Sequence, residues 1–195
     1  MSKEQKYVLT EETKVVCNIT LYRIKAVRDF SDVKSGDLGG FIESEHNLSH
    51  EGNAWVYGNA WVYHNAMVYG NAKVLDDAII CDDAMVYGDA EVYMNAKVGG
   101  HANVFGNAQV YGQANVYDNA WVFGRTKVYN NANVHGDAWI HGDTMIYGNA
   151  KVYGDAKVHG FAKVYGDANV YDGEAMVYGN AKVHGNAKIH DGDAE

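Results

Sequence analysis

Between residues 54 and 193 one six-residue unit recurs twenty-three times: Ala, a variable residue, Val, Tyr, Gly, then Asn or Asp. Ala54-Trp55-Val56-Tyr57-Gly58-Asn59 is the first clean copy and Ala187-Lys188-Ile189-His190-Asp191-Gly192 is the last. A short fixed period marks a solenoid, in which each unit stacks only on its neighbours. Within the unit, Ala and Val alternate with the variable residue and Tyr. That is the period of two expected of a strand, with Ala and Val inward and the other two outward. The Gly, Asn and Asp that follow accept positive φ at little cost and turn a corner. The repeat therefore predicts a coil of short parallel strands.

The inward columns are nearly invariant. Every aliphatic position from Val56 to Ile189 is Val or Ile, and the small column is Ala except at Thr126 and Thr144. Identical close-packed cross-sections need identical side chains, coil after coil. Unusual outward residues recur eighteen positions apart: Met67 and Met85, Phe105 and Phe123, Trp121 and Trp139, His141 and His159. Eighteen is three hexads, so these pairs are expected to lie directly above one another on a triangular prism. Asp172-Gly173-Glu174 inserts one extra residue into the run.

Residues 1–30 do not repeat. Tyr7–Thr10 and Lys14–Leu21 read as a hairpin around Glu11-Glu12, and Tyr22 to Phe30 as a short helix or an irregular turn. A solenoid end exposes unpaired strand edges, so residues 1–30 are expected to form a cap. Residues 31–195 form the repeat domain, with 31–53 as degenerate hexads. The acidic Asp191-Gly192-Asp193-Ala194-Glu195 is expected to discourage end-to-end stacking by charge.

The stretches Leu21-Tyr22-Arg23-Ile24-Lys25-Ala26-Val27-Arg28-Asp29-Phe30, Gly39-Gly40-Phe41-Ile42-Glu43, Asn47-Leu48-Ser49 and Glu51-Gly52-Asn53-Ala54-Trp55-Val56, followed by the hexads, resemble YdcK-like bacterial proteins of the hexapeptide-repeat class. The resemblance covers essentially the whole chain. It implies an all-β, left-handed parallel β-helix, a hand opposite to the usual crossover rule. It also implies a trimer, and many members of the class are acyl-CoA-dependent acyltransferases. Fold alone does not carry that activity over. No loop after residue 54 is long enough to project from the coil, and an extended C-terminal segment is not expected after the repeat. Both features are usual in the enzymes, so a non-catalytic binding or scaffolding role is the first expectation. An acyltransferase and a polymer-forming structural protein are the alternatives.

Composition narrows the partners. The net charge of −9, with Asp spread along the corners, argues against binding a nucleic-acid polymer, which wants a basic stripe. No apolar run reaches membrane length and residues 1–20 lack a signal-peptide core, so a cytoplasmic protein is expected. The two cysteines, Cys17 and Cys81, make no secretory disulfide framework.

Assigning hexads in rotation gives three outward faces. The third carries Met67, Met85, Trp121, Trp139, Lys157 and Met176 beside Phe105, Phe123, His141 and His159. Strands about 4.8 Å apart make this a continuous apolar stripe, and such stripes mark contact surfaces. Met67, Met85, Phe105, Trp121 and Trp139 are thus the expected face of a homotrimer. Trp121, Phe123, Trp139, Arg125 and Lys157 offer aromatic planes and cations, the set a phosphate-bearing or nucleotide-like ligand needs. Within an acyltransferase, His141 or His159 would be the general base, with His46 and His50 as secondary candidates, and acyl-CoA would be the co-substrate. The plainer reading is that His replaces Tyr in a column of stacked rings, as at His135, His184 and His190. No cofactor is required by the sequence. No metal site is expected, since two stacked His residues lack a third ligand.

Overall fold

The computed structural model describes residues 5–173 and 175–190. Strand β1 (Tyr7–Val16) pairs antiparallel with β2 (Ile19–Ala26), which pairs antiparallel with β3 (Leu38–Ile42). A single 3-10 turn, Glu45–Asn47, leads to two-residue rungs running from β4 (Trp55–Val56) to β26 (Lys188–Ile189). The rungs form three parallel sheets, one on each side of a prism with eighteen residues per turn. The first face holds eight strands beginning at Trp55. The second holds eleven, because β1, β2 and β3 extend it, and the third holds seven beginning at Met67.

The expected registers are met: Met67 lies beside Met85 and Trp121 beside Trp139. After Glu174 the spacing becomes nineteen, with Lys157 beside Met176 and Asn169 beside Lys188. The ladder of rungs continues across the shift in spacing. Backbone N–H groups of one coil donate to carbonyls of the next, as Tyr111 does to Val128 at 2.9 Å. Nearly every inward Ala and Val is fully buried, so the core is a thin prism of small and β-branched side chains.

The N-terminal segment differs from its sequence reading in two places. The hairpin turns at Cys17 and Asn18, both at positive φ, and Glu11-Glu12 fall where the pairing slips between Leu9 and Thr13. Residues 22–26 are strand rather than helix or turn. Leu21, Ile24 and Ala26 are buried and β2 finds partners on both edges, so pairing decides the conformation. The acidic residues 191–195 lie outside the described residues.

Packing at this end closes the prism. Tyr7 is buried, edge-on to Trp55, and its hydroxyl donates to the Leu48 carbonyl at 2.7 Å. Phe30 meets Trp55 from another side at 5.3 Å. Lys6 is also buried; its ammonium donates to the Ala54 carbonyl at 2.7 Å and sits over the Phe30 ring. Burial, with Arg28 nearby, lowers its pKa to about 8. Asn47 caps the first rung of the third face by donating to the His64 and Ala66 carbonyls.

Candidate functional site

Outward side chains two apart on one rung point the same way, so each face carries two parallel columns. On the third face the second column is an unbroken pile of rings. Tyr69, Tyr87, Phe105, Phe123, His141, His159 and Tyr178 stack at centroid distances from 4.7 to 5.7 Å. In the first column Trp121 stacks on Trp139 at 5.3 Å, edge-on to Phe105 and Phe123. Trp139 is 44% exposed, and Met176 and Tyr178 are exposed below it.

His141 therefore sits between Phe123 and His159. Burial, and secondarily the charge of His159, lowers its pKa, which favours the neutral imidazole a general base needs. Among the described residues neither His141 nor His159 has a carboxylate within ion-pair distance to orient it. Histidines that do include His64 with Asp82, His101 with Asp83, His135 with Asp118 and His50 with Glu45. His50 is stacked on Tyr7 at 4.3 Å and receives the Lys6 N–H, so it belongs to the cap. His46 is exposed on the 3-10 turn. Both lie about five coils, roughly 24 Å, from His141.

The residues proposed from sequence to bind a ligand separate into two places. Trp139 and Lys157 line a groove of about 510 Å³ with Asp137 and Asp155, at one margin of the third face. Two carboxylates beside one ammonium make that groove a poor phosphate site. Arg125 is at the opposite margin, on the corner between the third and first faces. Its guanidinium grips Asp143 through two bonds, Nε to Oδ1 at 2.6 Å and Nη2 to Oδ2 at 2.7 Å.

Arg125 and Asp143 form the rim of a larger groove of about 700 Å³ that opens on the first face. Lys127, Lys163 and Lys182 line it from the variable column, with Met145 among them, and Phe161 closes the corner side. Phe161 is 60% exposed. Four cations against one carboxylate make this a basic site on a chain of net charge −9. The sequence reading missed it. Two signals were available: Phe161 is the one aromatic in a corner column otherwise made of Asn53, Asn71, Asp89, Asn107, Arg125, Asp143 and Asn180, and Lys gathers in the adjoining column at 127, 163 and 182.

The corner that carries this groove is built on glycine alone. From Gly52 to Gly179 its positive-φ position is Gly in every coil, whereas the other two corners also hold His64, Asp76, Asp82, Met94, Asp118 and Asn130 at positive φ. The ridge between the stacked rings and the basic groove therefore has bare backbone at its crest. Among the described residues no three His, Cys, Asp or Glu side chains converge as a metal site requires, and no helix is long and apolar enough to cross a membrane.

The class that fold and surface define is a three-sided parallel β-solenoid of hexads. No protein-family profile matches the chain. It is similar to YdcK of Escherichia coli strain K12, a protein named as an uncharacterised acetyltransferase, with 40% identity over 57 residues. The match spans 29% of this chain and 18% of that protein. The solenoid and this partial likeness agree with a hexapeptide-repeat β-helix.

Proposed function

We propose that this chain is a binding solenoid that captures a small phosphate-bearing ligand in the groove rimmed by Arg125 and lined by Lys127, Lys163 and Lys182. The charge of that groove carries the reading. Three ammonium groups give phosphates their donors, Asp143 fixes the Arg125 fork, and the exposed Phe161 ring offers a stacking surface for a base. The functional unit is a homotrimer, with the Trp121 and Trp139 stripe of the third face buried between subunits. The test is calorimetric titration with pyrophosphate, ATP and acetyl-CoA at low and moderate salt. Saturable binding that weakens with salt, and falls at least ten-fold in Lys163→Ala and Lys182→Ala, is the expected result. Heat that is non-saturable, or unchanged in those variants, overturns the reading.

A second reading is an acyltransferase, which the name of the partly similar YdcK and the neutral His141 favour. In that reaction an acceptor amine or hydroxyl attacks the thioester carbonyl of acyl-CoA. His141 or His159 takes the acceptor's proton and the coenzyme leaves as a thiol. Release of thiol that depends on an added acceptor, and is abolished in His141→Ala or His159→Ala, would establish it.

A further inference from the structure

The ring column of the second face is interrupted. Tyr117, His135, Tyr153 and Tyr171 stack at 4.7 to 5.3 Å, but the two positions before Tyr117 in the same column are Gly99 and Cys81, and Tyr63 stands beyond them. The face of the Tyr117 ring that a neighbour would cover is bare, and the residue is 36% exposed. The space is a slot of about 220 Å³ lined by Tyr117, Gly99, Cys81, Asp82, Lys97 and Asn115. Sites that enclose drug-sized ligands run to about 300–1,000 Å³, so this one is limited to one or two fused rings.

The slot has a floor, an inner end and a cationic wall. Tyr117 is the floor. A side chain added at Gly99 would start 3.1 Å from both Cys81 Sγ and Asp82 Oδ2, so these two atoms bound the slot at its inner end. Asp82 is held in place: Oδ2 accepts the Gly100 N–H at 3.0 Å and Oδ1 lies 3.1 Å from His64 Nδ1. Those contacts, the Gly100 N–H first, lower its pKa, and it is a carboxylate at neutral pH. Its remaining partner is the Cys81 thiol at 3.4 Å, which burial keeps protonated by raising its pKa to about 11. A thiol is a weak donor, so an amine N–H arriving in the slot displaces it. Lys97 supplies a cation on the other wall.

We propose that this slot binds a flat heteroaromatic ring bearing an amino group, stacked on Tyr117 in the place of the missing Gly99 side chain. Its amino N–H groups donate to Asp82, and a ring nitrogen or carbonyl accepts from Lys97. The ligand supplies the rung that the sequence omits. The site is on a different face from the basic groove and stands independently of it.

Adenine, cytosine and benzyl alcohol titrated into isotopically labelled protein, followed by amide chemical shifts, test this. Adenine or cytosine is expected to give saturable shifts at residues 81–82, 97–100 and 115–117, and benzyl alcohol at least ten-fold weaker ones. Gly99→Tyr fills the slot with the protein's own ring, with Cys81 Sγ and Asp82 Oδ2 yielding by a few tenths of an ångström to the new Cβ; it is expected to abolish the shifts while the circular-dichroism spectrum stays that of the folded parent. Gly99 has a φ outside the left-handed region, so the backbone accepts the change. Tyr117→Ala removes the floor and is expected to weaken binding roughly five- to a hundred-fold, the range of base–aromatic stacking. No saturable shift at these amides with either base, shifts that persist in Gly99→Tyr, or benzyl alcohol binding as well as adenine would each overturn the proposal. If Gly99→Tyr does not fold, undiminished binding by Tyr117→Ala overturns it.

Discussion

Thr126 Oγ1 lies 3.0 Å from Thr144 Oγ1 among the buried Ala, Val and Ile side chains of the lumen. The two are fully buried neighbours in the column that every other coil fills with Ala. Each hydroxyl also reaches the carbonyl that ends the preceding rung, Phe123 at 2.8 Å and His141 at 3.2 Å. The pair thus fastens the corner beneath Arg125 and Asp143, where the ring column meets the basic groove. Replacing one hydroxyl leaves a buried carbonyl and a hydroxyl underpartnered; replacing both removes the shared bond only once. Thr126→Val and Thr144→Val are each expected to cost about 1–2 kcal/mol, with a coupling of about 0.5–1.5 kcal/mol. Denaturant unfolding of the four proteins in the cycle measures it, and strictly additive single costs would contradict the pairing.

The tyrosine columns make stability fall at high pH. Burial raises the pKa of Tyr63 to about 12, and shifts Tyr69, Tyr87, Tyr93, Tyr111, Tyr117, Tyr129, Tyr147 and Tyr153 upward from 10.0 as well. Rings 4.7 to 4.9 Å apart also resist carrying like charges together. A folded pKa above the unfolded value means that the unfolded chain releases its protons first. The stabilising contribution is complete below pH 10 and is lost as pH climbs through the folded values. Phenolate absorbance is expected to rise late, with a midpoint above 10, and to coincide with loss of the β circular-dichroism signal. Independent titration near 10 with the fold intact would refute this.

The repeat was legible because both of its periods are written in residue types. Val at every sixth position names the inward column, and Trp121 with Trp139 names the eighteen-residue turn. The cap was legible only in part. Glu11-Glu12 looks like a turn by composition, yet the turn falls at Cys17-Asn18, because strand pairing and buried Leu21, Ile24 and Ala26 outweigh local preference. The basic groove was hidden for another reason. Arg125 and Phe161 belong to a corner and Lys127, Lys163 and Lys182 to a face, so sorting residues by face separates groups that the structure joins across an edge.

Trp121 and Trp139 decide the assembly prediction. They stack in register on the third face, and Trp139 keeps 44% of its surface exposed beside Phe123. A stripe of this kind, continued by Met67 and Met85 on the same sheet, favours burial against another copy. Trp121→Glu/Trp139→Glu is expected to convert a trimer to monomer in light scattering, with the circular-dichroism spectrum unchanged because both side chains point away from the lumen. A mass unchanged by the substitutions would remove this face from the interface.

Gly142 tests how far damage travels along the prism. Its φ is +85, and a Cβ there would sit 2.7 Å from the Gly160 carbonyl oxygen and 2.9 Å from the Gly160 nitrogen. Gly142→Ala therefore combines an unfavourable left-handed conformation with pressure on the next coil, an expected cost of about 1–3 kcal/mol. A solenoid distributes stability between nearest neighbours, so the loss should be felt locally before it is felt globally. Hydrogen exchange is expected to accelerate first at amides of the adjoining coils, such as Arg125 N–H to the Gly142 carbonyl and Asp143 N–H to the Gly160 carbonyl. Amides of the cap, such as Ala26 and Val27, should keep their protection at the same denaturant concentration. A uniform acceleration from Ala26 to Tyr171 would mean that the prism unfolds as a single cooperative unit, and that its coils do not hold their stability pairwise.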